Sequence, residues 1–106
     1  LAPVRAALQN FGMEVHQAMD GQQALEIARR LKPRAAVLDV NMPGMDSYQV
    51  LSALRSEGPA MGIVLLTARQ REGDTIRGFT LGADDYLVKP FSPMELAVRL
   101  KRLIGP

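Results

Sequence analysis

No cysteine occurs in this chain of 106 residues, which excludes a disulfide framework and any thiolate metal site. No apolar run approaches the roughly 20 residues a membrane-spanning helix needs, and no signal-peptide pattern opens the sequence. The chain is therefore expected to be cytoplasmic, with no membrane partner. Aromatic residues are scarce (Phe11, Tyr48, Phe79, Tyr86 and Phe91) and are not interleaved with basic residues into a platform for stacking bases. Nor is charge of one sign concentrated: 13 Lys and Arg against 11 Asp and Glu leave a net +2. The locally basic stretches, Arg29-Arg30 with Lys32 and Arg34, and Arg99 with Lys101 and Arg102, read as solvated helix faces and helix ends. What remains is 47% hydrophobic and 23% charged, the composition of one ordinary globular domain.

Periodicity and punctuation divide the chain into alternating elements. Residues 3–11 read as a helix with Val4, Ala7, Leu8 and Phe11 on one face, stopped by Gly12. Residues 14–18 read as a short strand. Asp20 with Gln23 resembles a capping box, followed by a helix whose buried stripe is Ala24, Leu25, Ala28 and Leu31. Residues 35–39 form an apolar run that reads as a strand buried on both faces, ended by the turn chemistry of Pro43-Gly44. A helix over 47–56, a strand over 63–67, a helix over 72–81 and a strand over 85–88 follow. The 72–81 helix is intrinsically weak, containing Gly73 and Gly78, and its apolar side is expected to be Ile76, Phe79 and Leu81. Ser92-Pro93-Met94-Glu95 is a strong start for a terminal helix with Leu96, Leu100 and Leu103 inward and Val98 and Ile104 beside them. Such alternation predicts a parallel, doubly wound α/β sheet with helices on both faces.

Three successive strands end at Asp39, Thr67 and Lys89. In a right-handed parallel sheet those ends lie along one edge, so a carboxylate, a hydroxyl and an ammonium converge where open α/β sheets bind ligands. Singly, each has a plain reading: Asp39 as a helix cap, Thr67 as a strand-end threonine, Lys89 as an exposed lysine passing a strand end. Jointly they suit phosphoryl transfer to a carboxylate, where positioning and charge neutralisation do most of the work.

Residues 38–46 (Leu-Asp-Val-Asn-Met-Pro-Gly-Met-Asp), 66–69 (Leu-Thr-Ala-Arg) and 82–91 (Gly-Ala-Asp-Asp-Tyr-Leu-Val-Lys-Pro-Phe) resemble bacterial response-regulator receiver domains, in that family's order and spacing. The resemblance covers the whole chain. It implies a flavodoxin-like fold, a doubly wound parallel five-stranded sheet in the order 2-1-3-4-5. It makes Asp39 the phospho-acceptor, attacking a phosphohistidine on a sensor histidine kinase. Lys89 would pair with the phosphoryl group through a cis bond to Pro90, and Thr67 would donate its hydroxyl to it. Ala68 would leave room, and Asn41 and Arg69 would flank the approach of water. Mg²⁺ would be held by Asp39, the backbone carbonyl of Asn41 and an acidic pair that follows the family's first strand. Neither that strand nor the pair is found in residues 1–106; both are expected to precede Leu1. Thr67 and Tyr86 would form the switch, Tyr86 turning inward as Thr67 moves to the phosphoryl group. Ser47 stands where the family often has Gly, a change expected to be tolerated.

Arg77, Asp84, Asp85, Glu95, Arg99 and Lys101 are similar in pattern to the winged-helix transcription-factor subfamily of OmpR/PhoB type. The resemblance implies a phosphorylation-dependent homodimer through the family's helix 4, strand 5 and helix 5, with Arg77 facing the partner's Glu95 and Asp85 the partner's Arg99. DNA would be reached only through an output domain. Other readings stand beside this one. Without its acidic pair the domain would be a pseudo-receiver, an interaction module that is not phosphorylated. A phosphohydrolase of haloacid dehalogenase type also uses a strand-end Asp but wants a second Asp two residues on, where this chain has Asn41. A flavin-binding flavodoxin wants a phosphate loop rich in Ser, Thr and Gly that is not seen here.

Overall fold

The computed structural model describes residues 2–40, 46–68 and 72–105. Its elements are α1 (Ala2–Asn10), α2 (Gly21–Leu31), β1 (Ala35–Asp39), α3 (Ser47–Glu57), β2 (Gly62–Thr67), α4 (Glu72–Thr80), β3 (Asp85–Val88) and α5 (Pro93–Ile104). The strands form one parallel sheet in the order β1-β2-β3.

The centre of the fold is β2, and period-two alternation explains why. Ile63 and Leu65 point into one core with Leu38, Val50, Leu51, Leu54, Met61 and Ala83, against α2 and α3. Val64 and Leu66 point the other way, into a core with Leu8, Leu87, Leu96, Ala97 and Leu100, against α1 and α5. Ile63 and Val64 are fully buried on opposite faces, as a strand covered by helices on both sides requires. Helix starts follow their capping residues. The Asp20 side chain accepts from the Gln23 N–H at 2.8 Å, Asp46 accepts from the N–H groups of Tyr48 and Gln49, and the Ser92 hydroxyl accepts from the Met94 N–H.

Several expectations from the sequence are corrected. Residues 13–18 contain no strand. Val15 still packs on the α1/α5 core, but the segment has no ladder partner among the described residues, and period-two side chains alone do not satisfy backbone groups. Among the described residues the sheet accordingly shows three strands rather than the four expected within residues 1–106. β1 packs on both cores, Leu38 and Ala36 on one side and Ala35 and Val37 on the other, but among the described residues it pairs only with β2, and Ala35, Ala36 and Val37 are half-buried. Leu31 is exposed at 42%, because α2 rests on α3 through Ala24, Leu25 and Ala28 and its last turn runs past that contact. Val98 is likewise 53% exposed, being off the Leu96–Leu100 stripe.

On α4, Ile76 and Phe79 are exposed rather than inward. The helix meets the sheet through Gly78, where an added Cβ would lie 2.7 Å from Cδ1 of Leu65. Glycine is there because it lets the helix backbone approach β2 closely, and the bulky residues on either side of it turn outward.

Candidate functional site

The register of the sheet brings three chain ends together. Asp39 is level with Leu66, and Thr67 with Val88. The ladder continues one step past the strands: Val40 N–H donates to the Leu66 carbonyl at 2.8 Å and Lys89 N–H to the Thr67 carbonyl at 2.7 Å. Asp39, Thr67 and Lys89 therefore share the carboxyl edge of the sheet. Lys89 reaches across the end of β2, and its Nζ lies 2.6 Å from Oδ2 of Asp39, 50 residues away in sequence. The two side chains are 34% and 20% exposed, enough for a small anion to reach the pair from solvent. A charge-assisted contact between two partly exposed groups sets their relative geometry more than it stabilises the fold.

Thr67 is half-buried as the last residue of β2, and Ala68 follows it, exposed, in a bend. The Lys89–Pro90 peptide bond is cis, as the sequence led us to expect. Asn41 and Arg69 lie outside the described residues. Tyr86 is half-buried on β3, packed against the α2/α3 core, with Phe79 edge-on to it at 5.6 Å between ring centroids. One residue with a place here was not singled out for the site: Ser47, 2% exposed, donates its hydroxyl to the backbone carbonyl of Asp39 at 2.6 Å. The replacement of the usual Gly by Ser was the only sign of it in the sequence.

Residues 1–101 match the family model described as the response regulator receiver domain. The chain belongs to that family. Its receiver domain is 43% identical over 104 residues to the transcriptional regulatory protein PrrA of Mycobacterium leprae, covering 98% of this chain and 45% of that one. It is 42% identical over 97 residues to the alkaline phosphatase synthesis transcriptional regulatory protein PhoP of Bacillus subtilis, covering 92% and 40%. The chain thus spans less than half the length of these relatives. Among solved structures it is similar to chemotaxis protein CheY4 of Vibrio cholerae, with a TM-score of 0.86 and 35% identity over 94% of this chain and 85% of that one. It is also similar to the receiver domain of the Francisella response regulator 1452, with a TM-score of 0.85 and 31% identity over 95% and 84%. The flavodoxin-like α/β class expected from the sequence is therefore shown.

Within this receiver the charged residues of α4, β3 and α5 fall into separate groups. Arg99 donates to Asp85 at 2.7 Å and lies 3.5 Å from Glu95, all in the same chain. The hydrogen bond it donates to Asp85 is the main reason the Arg99 guanidinium is held above its ordinary range. Lys101 is exposed on α5. Arg77 lies over the ring of Tyr48 at 4.2 Å from its centroid, a cation–π contact joining α4 to α3. Asp84 is elsewhere, at the amino end of β3, where its Oδ2 accepts from Ile63 N–H at 2.8 Å and from Arg55 at 2.7 Å. Asp84 and Asp85 are neighbours in the chain, but successive side chains point opposite ways, so Asp84 turns to Arg55 and Ile63 while Asp85 meets Arg99.

Of the groups expected to hold Mg²⁺, Asp39 stands at the carboxyl edge of the sheet, while Asn41 lies outside the described residues. Among the described residues no group of three or more His, Cys, Asp or Glu gathers to hold a metal. Asp46, the next acid after Asp39, caps α3. Asp39 is an oxygen donor of the kind Mg²⁺ prefers, but the described residues do not complete a site around it. No described helix is long and apolar enough to cross a membrane.

Proposed function

We propose that this receiver is a phosphorylation-operated switch whose acceptor is Asp39. An Asp39 carboxylate oxygen attacks the phosphorus of a phosphohistidine on a sensor kinase. The phosphorus–nitrogen bond breaks as the new oxygen–phosphorus bond forms, and the imidazole leaves with its electron pair. Lys89 neutralises charge on the phosphoryl oxygens and Thr67 donates its hydroxyl to one of them, electrostatic roles of the kind that dominate phosphoryl transfer. The observation that carries this reading is the 2.6 Å contact of Lys89 with Asp39 at a solvent-reachable strand edge, beside Thr67.

Output follows from position. Tyr86, on the strand beside Thr67, touches Phe79 of α4, a helix whose backbone comes close to the sheet at Gly78. A side-chain rearrangement at Thr67 and Tyr86 reaches α4 directly, and a weakly held helix responds to the few kcal/mol of typical allosteric coupling. We assign the changed surface to α4, β3 and α5, and homodimerisation as its first consequence. The domain acts in the cytoplasm as a regulatory acceptor rather than a turnover enzyme. By analogy with PrrA and PhoP its output is transcription, with DNA contacted by a segment outside this domain.

Incubation with acetyl phosphate and Mg²⁺, read by intact mass, tests the proposal. The expected label is a single acyl phosphate per chain, labile to hydroxylamine and lost in Asp39→Ala; an acid-stable label, or one that survives Asp39→Ala, would overturn the proposal. An unlabelled wild-type chain would leave the pseudo-receiver reading instead.

A further inference from the structure

We infer that Ser47 is a positioning residue for the acceptor, fixing the backbone from which the Asp39 carboxylate projects. The inference rests on the acceptor reading of Asp39 and goes beyond it. Ser47 is the first residue of α3 and is 2% exposed, and its hydroxyl donates to the Asp39 carbonyl at 2.6 Å. The same peptide unit ends in the Val40 N–H, which donates to the Leu66 carbonyl at 2.8 Å. A peptide unit is planar, with its carbonyl and N–H pointing opposite ways. The plane after Asp39 is therefore pinned from both sides, by α3 through Ser47 and by β2 through Leu66. With that plane fixed, only the side-chain torsions of Asp39 remain to place its carboxylate, and Lys89 occupies one oxygen at 2.6 Å.

A serine could instead be no more than a small residue filling the start of a helix. That alternative predicts a stability effect without an effect on the chemistry. The two readings differ because α3 begins with a cap of its own: Asp46 accepts from Tyr48 and Gln49 N–H, so Ser47 is not needed to start the helix. Its hydroxyl instead goes to the acceptor strand. Positioning of this kind acts on the rate of the bound reaction more than on donor affinity, since a misplaced nucleophile is penalised in the transition state.

The test compares Ser47→Ala and Ser47→Gly with wild type in the full chain, using acetyl phosphate as donor and intact mass as readout, with rates scaled to the folded fraction. The expected result is a saturated labelling rate lower by about three- to tenfold in both variants, with the half-saturating donor concentration unchanged. Amide hydrogen exchange at Val40 should also accelerate in both. Saturated rates within about twofold of wild type, a loss seen only as a higher half-saturating concentration, or unchanged Val40 exchange would each overturn the role given to Ser47. A wild-type chain that takes no label would overturn the acceptor reading and this role with it, whereas labelled wild type with unaffected variants overturns Ser47 alone.

Discussion

Lys89 Nζ and Asp39 Oδ2 meet at 2.6 Å across the end of the central strand, each delivered by a different outer strand of the sheet. Neither element could place both charges. The contact exists because β1 and β3 flank β2 in parallel, so their carboxyl ends face the same way. Replacing Lys89 by Met keeps the length of the side chain and removes its charge. We expect acetyl phosphate labelling of Asp39 to slow by about tenfold or more, since the phosphoryl oxygens lose their cation. Stability should move by only about 1 kcal/mol, as for other partly exposed pairs. Wild-type labelling kinetics in Lys89→Met, measured by intact mass, would remove Lys89 from the mechanism.

Arg55 ties the other end of the sheet. Its guanidinium donates to the carbonyls of Gly82, Met61 and Pro59 at 2.6–2.9 Å and to Asp84 at 2.7 Å. Lys cannot reproduce that fork, so Arg55→Lys should cost about 2 kcal/mol in urea denaturation, most of it from the carbonyls rather than from the more exposed Asp84. Gly82 has φ +114°, and a Cβ there would lie 2.7 Å from Cγ of Arg55. Gly82→Ala should therefore destabilise by about 1–3 kcal/mol through backbone strain and displacement of the same arginine. Because both changes disturb one contact set, the double variant should lose less than the two single losses combined. Strict additivity would show the two residues to be independent.

These two sites were not equally legible. Asp39, Thr67 and Lys89 could be read because each closes an apolar run, and strand ends in a parallel sheet converge by topology alone. The caps at Asp20 and Ser92 were equally plain, since capping is local. Arg55 was invisible: its partners are backbone carbonyls, which carry no sequence signal. Residues 13–18 misled because alternation reports side-chain burial and says nothing of whether a pairing strand lies alongside. On α4 the error had the opposite origin. Hydrophobicity alone points Ile76 and Phe79 inward, whereas the close approach of Gly78 to Leu65 turns the helix so that they face out.

Arg29 and Glu57 form a bidentate pair at 2.7 and 3.0 Å on the surface between α2 and α3. The hydrogen bond from Arg29 is the main cause holding the Glu57 carboxyl below its ordinary value of 4.5. A carboxyl depressed in the folded state contributes stability above its unfolded value and loses it as pH falls through the lower, folded one. The same pair holds the Arg29 guanidinium above its ordinary range, which lies beyond ordinary pH and adds no pH dependence there. Glu57→Gln should flatten the acid limb of urea midpoints taken from about pH 7 down to about pH 3, and high salt should shrink the difference. An identical acid limb in the variant would show the pair to be energetically silent.

Arg77 lies over Tyr48 within the same chain, although the dimer proposed above needs it to face the partner's acidic side chain. The two uses of one guanidinium compete. A two-fold interface counts the competition twice, once for each protomer. Tyr48→Leu keeps apolar bulk beside α4 but removes the aromatic face, releasing about 0.5–1 kcal/mol of cation–π attraction per protomer. The phosphorylated variant should therefore dimerise more tightly by about five- to thirtyfold, and Arg77→Ala should weaken dimerisation. Sedimentation equilibrium measures both. If Tyr48→Leu dimerises no more tightly than wild type while Arg77→Ala still weakens the dimer, the interface stands but the Tyr48 contact does not restrain it. If phosphorylated wild type remains monomeric at high concentration, the face of α4, β3 and α5 passes the signal to some surface other than its own copy.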